Sequence, residues 1–432
     1  MPEILSRAAL PQSLMPCHAI ATEGTPMQPS STVDPAVVDK DAPSPEWIAD
    51  LSRRLPTEPE IERVLTRKLE RRLDGPFTWP TFPEIETGLH SLMSAELGSR
   101  FHGVNHTKWL SGGASKVQVY FELSWTDDAG NAALTPMVLR MDPAASIQET
   151  SRRREFELLR AFRGIVPVPE VYWLDDMADH LPYPALVSGF VPGVTKPTGG
   201  SKSVSGLKAT IDSDLRKSLG TQFIQHLAAI HNHNVDDPEL RSFQRPDGVR
   251  EVLKFQINAW DRVWQEDSDF DVPMVRLALA WLRDNVPDVD RLSVVHADYR
   301  TGNYLFTEDD ARITAILDWE GGHVGDRHED LAYTMNRMFG SDDEAGRFLV
   351  SGLMPEEQFL QEYSEAAGLP VVPQSLQFWK IFNCVKTVII SLATAYRISA
   401  TRKTHQDVLV AWITGTEGVL LEELRLNLEE VF

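Results

Sequence analysis

Two hydrophobic rhythms alternate along this chain. Ile61, Val64, Leu65, Leu69 and Leu73 recur at helical spacing with Arg and Glu between them, which predicts an amphipathic helix. Asp74-Gly75-Pro76 supplies its stop signal. A second helix is predicted over residues 82–97. The period then drops to two. Residues 117–125 alternate and are rich in β-branched and aromatic side chains, a turn is predicted at 127–131, and residues 133–140 return as a paired strand. A helix follows over 151–163, with Phe156, Leu158, Leu159 and Phe162 inward, then short strands at 171–174 and 185–191. Residues 192–206 are rich in Gly, Ser and Pro and read as a boundary loop. Beyond them helices dominate, at 214–231, 249–264, 275–285, 356–367 and 374–399. One β interruption, 292–319, holds three short apolar runs. Residues 1–45 carry no hydrophobic period and are expected to form a flexible tail.

Charge narrows the choice of partners. Asp and Glu total 63 against 42 Lys and Arg, a net charge of −21. So acidic a surface repels phosphate backbones, so neither nucleic acid nor a membrane is an expected partner. Cys17 and Cys384 are too few for a zinc cluster or a disulfide framework, and a cytoplasmic setting is expected. Residues 1–30 are broken by Pro11, Pro16 and Pro26 and do not look like a secretory signal. The apolar run 387–396 is too short to span a bilayer and is expected to be a buried helix.

The chemistry concentrates in the β interruption. Asp298 and Asn303 fall on a loop between two apolar runs, and Asp318 follows the strand that pairs back on the second run. A hairpin can bring the three together. Phosphoryl transfer needs such a set: a carboxylate to orient the acceptor hydroxyl and take its proton, and hard oxygen ligands for the cation that neutralises the phosphates. Asp298 suits the first role, Asn303 and Asp318 the second. Taken singly, each also reads as an ordinary polar turn residue.

His296-Ala297-Asp298, with Asn303 five residues on and then Asp318-Trp319-Glu320, resembles the aminoglycoside-phosphotransferase-like kinases, distant relatives of protein kinases. The stretch 325–332, Gly-Asp-Arg-His-Glu-Asp-Leu-Ala, resembles their Gly-Asp-Pro-x-x-Asp-Leu-Ala signature, with Arg327 in place of Pro. The resemblance covers roughly residues 105–400. It implies an α+β, bilobal protein-kinase-like fold, with an antiparallel-sheet N-lobe at 105–191 and a mostly helical C-lobe at 192–432 carrying a substrate-binding insert. Residues 46–104 would be a helical extension that caps the N-lobe or contributes to a homodimer. The implied reaction uses ATP and Mg²⁺ to phosphorylate a small-molecule alcohol. Gly112, Gly113, Ser115 and Arg140 would hold phosphates, Arg140 standing where kinases carry Lys. Glu155 would pair with Arg140, and Ser188, Phe190 and Val191 would form the adenine hinge. Asp330 would brace the site and His296 would buttress its loop.

Two further patterns, Gln256 with Trp260 and Trp264, and Tyr363 to Gly368 followed by Phe378-Trp379, resemble the kinase domain fused to some acyl-CoA dehydrogenases and its free-standing bacterial relatives. That branch implies a hydroxyacyl-CoA or related acceptor. The alternatives are an aminoglycoside or macrolide kinase, a nucleotide-binding pseudokinase serving as an interaction module, and metal ligation by His226, His231 and His233. Glu417, Glu422, Glu423, Glu429 and Glu430 near the C-terminus are expected to face water as helix-face charges.

Overall fold

The computed structural model describes residues 38–75, 77–110, 115–198, 211–403 and 407–432, and one compact unit runs from Lys40 to Phe432. Three helices open it: α1 (Pro45–Arg54), α2 (Pro59–Glu70) and α3 (Phe82–Leu97). Thr81 and Glu84 form a capping box at the start of α3, satisfying two amide groups that have no partner inside the helix.

Strands β1 (Phe101–Trp109), β2 (Val117–Thr126), β3 (Ala132–Met141), β4 (Val171–Asp175) and β5 (Ala185–Gly189) form an antiparallel sheet in the order β1-β2-β3-β5-β4. In β2 the alternation decides the faces. Val117, Val119, Phe121, Leu123 and Trp125 point inward and share a core with Ile85, Leu89, Leu92 and Met93 of α3. Helix α4 (Arg152–Ala161) belongs to the other lobe's core: its Leu158 and Leu159, with Phe162 just beyond its end, pack in the larger helical cluster. Phe156, expected to point inward, is half-buried.

The helical lobe comprises α5 (Ser213–Asn232), α6 (Val249–Asp267), α7 (Pro273–Asp284), α8 (His328–Thr334), α9 (Glu356–Ala367) and α10 (Pro373–Ile389). The last continues through a π-helical stretch, Ile390–Ala395, into α11 (Tyr396–Ala400), and α12 (Asp407–Thr414) and α13 (Glu417–Glu429) follow. The run Pro373–Ala400 is long and apolar enough to cross a membrane by length and composition. In the fold, 83% of its most apolar window is buried, the pattern of a core helix. Of the C-terminal acidic residues, Glu423 departs from expectation. It is part-buried, and burial raises its carboxyl despite a hydrogen bond with Asn336.

Short strands thread this lobe. β6 (Ser293–Val295) pairs with β9 (His323–Gly325), and β7 (Tyr304–Thr307) forms a hairpin with β8 (Arg312–Ile316). Past β5 the chain crosses from sheet to hairpin. Val194 exchanges both backbone hydrogen bonds with Phe306, at 2.9 and 3.0 Å. The result is a bilobal α+β fold with the β6–β9 segment facing the junction.

Candidate active site

The loop after β6 is held in an unusual conformation. Ala297 has φ +69°, a left-handed region costly for any residue with a Cβ. Asp330, fully buried on α8, fixes it by accepting from His296 N and Ala297 N, each at 2.7 Å. Lys386 Nζ donates to Ala297 O at 2.9 Å. Asp330 also meets His231 Nε2 at 3.1 Å, and His231 Nδ1 meets Tyr363 Oη at 2.7 Å. Burial pushes the Asp330 carboxyl up, but the bond and charge from His231 and the His296 amide outweigh it and hold it below the usual carboxylate range. His231 is therefore a bracing residue inside the core. His296 is fully buried too, with Nε2 on Leu317 O at 2.9 Å, and burial lowers its imidazole.

The same loop carries Asp298 and Asn303. Arg300 Nε donates to Asp298 Oδ1 at 2.9 Å, and Tyr333 hydrogen-bonds the same carboxylate. Gly302, at φ +105°, turns the chain back in a conformation that glycine adopts without strain. Asn303 Nδ2 then reaches Asp298 O at 2.9 Å, while Asn303 O accepts from Leu317 N at 2.7 Å. That second bond ties the loop to the end of the hairpin, where Asp318 stands in the left-handed region at φ +59°. The side chains of Asp298 and Asp318 are 30% and 31% exposed, so both carboxylates are open to a ligand.

Arg140 bridges the lobes from β3. Its Nη2 donates to Asp318 Oδ1 at 2.9 Å, its Nε lies 3.1 Å from Glu155 Oε1 on α4, and Glu320 lies 3.9 Å away. Burial opposes its charge, but Glu155, Asp318 and Glu320 outweigh it and raise the guanidinium above its usual range. Two cations that the sequence reading did not single out for the site complete the network. Lys116 Nζ, immediately before β2, lies 3.3 Å from both Asp142 and Glu320, and Arg152 reaches Asp142 at 3.0 Å, Glu320 at 3.0 Å and also Glu155. Burial raises the Glu320 carboxyl, but Lys116, Arg152 and Arg140 bring it down to about 2. Lys116 ends the Gly-Gly-Ala-Ser-Lys run, the one sequence signal that pointed toward it.

The remaining expected positions divide. Gly112 and Gly113 lie outside the described residues. Ser115 hydrogen-bonds Glu320 through its side chain, and its carbonyl accepts from Ser146 Oγ at 3.2 Å. Ser188 is buried on β5, paired between Val138 and Val171. The strand ends at Gly189 and not at residue 191, so Phe190 and Val191 lie on the crossing segment. Phe190 is 42% exposed, with its ring edge-on to Tyr120 at 5.4 Å. Beneath the site, Asp326 accepts from Trp379 Nε1 at 2.7 Å and from His328 Nδ1 at 2.6 Å.

A family model described as the phosphotransferase enzyme family matches residues 108–379. Acyl-CoA dehydrogenase family member 10 of Mus musculus is 24% identical over 277 residues, 61% of this chain and 25% of that protein. The matched span covers a quarter to a third of the curated relatives compared. Among solved structures, a Ralstonia eutropha protein assigned as an aminoglycoside phosphotransferase aligns with a TM-score of 0.59 and 19% identity, over 79% of this chain and 98% of that one. An aminoglycoside phosphotransferase solved with GDP and kanamycin aligns with a TM-score of 0.50 and 14% identity, over 78% and 97%. With well over half of its length matched by the family model, and the model's span containing Arg140, Asp298, Asn303 and Asp318, the chain belongs to the phosphotransferase enzyme family.

Proposed function

We propose that the chain transfers the γ-phosphoryl group of ATP to a hydroxyl of a small molecule. The observation that carries this is the Arg140–Asp318 ion pair joining sheet to helical lobe, beside the Asp298–Asn303 loop. Arg140 would face nucleotide phosphates, since a guanidinium fork is suited to them. The segment around Phe190 and Val191 would meet the adenine. Asp318 and Asn303 fit Mg²⁺ by donor chemistry: the Asn303 amide nitrogen is engaged by Asp298 O, which leaves its oxygen to offer, and carboxylate and amide oxygens are hard ligands. When bound, Mg²⁺ supplies charge neutralisation at the transferring phosphate.

In this mechanism Asp298, steadied by Arg300 and Tyr333, orients the acceptor hydroxyl and receives its proton as the oxygen–phosphorus bond forms. Glu155 holds Arg140 toward the cleft. His296 and Asp330 fix the loop and move no proton.

The acceptor we favour is a hydroxyacyl thioester of coenzyme A. Relatives named as acyl-CoA dehydrogenase family members support it. An ADP-release screen over hydroxyacyl-CoAs, simple alcohols and aminoglycosides tests the proposal, with Asp298→Ala as the blank. Turnover of hydroxyacyl-CoAs only is expected. Turnover of aminoglycosides alone would move the acceptor to the antibiotic class, and identical ADP release by Asp298→Ala would reject the proposed catalyst.

A further inference from the structure

An open cavity adjoins the catalytic loop. Its lining includes Ala297, next to Asp298, and Glu320 and Gly321, just past Asp318. Its apolar lining includes Ile61 and Leu65 on α2, and Trp260 and Val263 on α6. Helix α2 lies outside the family-matched span 108–379.

The polar part of the lining is selective. Glu320 is matched by Lys116 and Arg152, and Glu329 by His323 at 3.0 Å. Both nitrogens of His323 face oxygens, Gly321 O at 3.1 Å and Glu329 Oε2. Burial lowers that imidazole, but Glu329 outweighs burial and raises it. Arg154 is different. It is 2% exposed, its Nη2 binds Glu58 and the Ser242 carbonyl, and its guanidinium lies 4.6 Å from the centre of the Phe243 ring. Its Nε and Nη1 have no hydrogen-bond partner among the described residues, a costly state for buried donors. Glu58 immediately precedes α2, and Gln256 of α6 donates to it at 3.0 Å. Helix α2, Arg154 and α6 are thus tied at one edge of the cavity.

We propose that this cavity is the acceptor subsite, with α2 as one wall and Arg154 as a specificity-determining residue. Its ligand is a hydroxylated molecule with an apolar chain and a carbonyl or carboxylate oxygen that accepts from Arg154. The assignment rests on the phosphotransferase reading above and extends it to residues that precede the family domain.

The test uses the full chain, with 3-hydroxydecanoyl-CoA as probe. Ile61→Trp fills the wall from a part-buried position, and Arg154→Lys keeps a cation beside Glu58 while removing the fork of donors. Acceptor KM and kcat, KM for ATP, and calorimetric binding of the probe without ATP are measured for each. Both variants are expected to raise acceptor KM and probe Kd about tenfold, with KM for ATP unchanged. Wild-type turnover whose acceptor KM ignores both substitutions in folded variants overturns the cavity assignment and leaves phosphoryl transfer standing. Probe binding that depends on Ile61 and Arg154 without transfer supports the cavity and overturns the transfer reading for this acceptor. Neither binding nor transfer overturns both.

Discussion

Replacing Asp330 with asparagine tests how the loop carrying Asp298 is held. The carboxylate accepts from two consecutive amides through different oxygens, Ala297 N on Oδ1 and His296 N on Oδ2, and His231 shares Oδ2. An amide has only one acceptor oxygen. Whichever way it turns, its NH₂ faces a backbone N–H, so one charge-assisted bond is lost and one buried donor is stranded. Together these cost about 3 kcal/mol. Unfolding entropy of roughly 2.1 cal/mol/K per residue over the unit Lys40–Phe432 converts that to a fall of about 4 °C in Tm. The loop should also relax from its left-handed geometry, lowering kcat while nucleotide Kd stays put. Adding Ala297→Gly removes the Cβ penalty at φ +69° and should return about 1 kcal/mol. Calorimetry and steady-state kinetics on the four proteins of this double-mutant cycle provide the measurement. A wild-type Tm in Asp330→Asn, or no recovery on adding Ala297→Gly, would refute the bracing argument.

Two further outcomes follow from the buried charges. Glu320 is depressed to about 2 from an ordinary 4.5, so the stability it contributes, roughly 3 kcal/mol, is present above about pH 4.5 and lost as pH falls toward 2. The urea midpoints of wild type and Glu320→Gln should therefore converge across that window, and parallel curves would contradict the ion network. Trp379→Phe deletes the 2.7 Å bond to Asp326 and should lower unfolding free energy by about 1.5–3 kcal/mol, read from urea melts, whereas no change would mean Asp326 is satisfied otherwise.

Much of the fold could be read from hydrophobic period and local chemistry. Helix α3 begins at its capping box and α2 stops near Asp74-Gly75, and the alternation of β2 assigned its faces. Strand β1 was missed because it carries polar, largely exposed residues, which leave no alternation to detect. The trio Asp298, Asn303 and Asp318 was visible because a loop and a hairpin hold its members close in sequence. The ionic network was not. Arg140 and Asp318 are 178 residues apart, and Lys116, Asp142, Arg152 and Glu320 reveal themselves as a set only when the lobes meet. The cavity is the extreme case, built from α2, α6 and the turn after Asp318, with no local signal joining them.

The central claim is transfer of a phosphoryl group to a hydroxyl at Asp298, beside a cation held by Asn303 and Asp318. Mass spectrometry of 3-hydroxydecanoyl-CoA after incubation with ATP, Mg²⁺ and purified protein measures it directly. The account predicts a gain equal to one phosphoryl group with wild type and none with Asp298→Ala or Asp318→Ala. Undiminished product from either variant would contradict it.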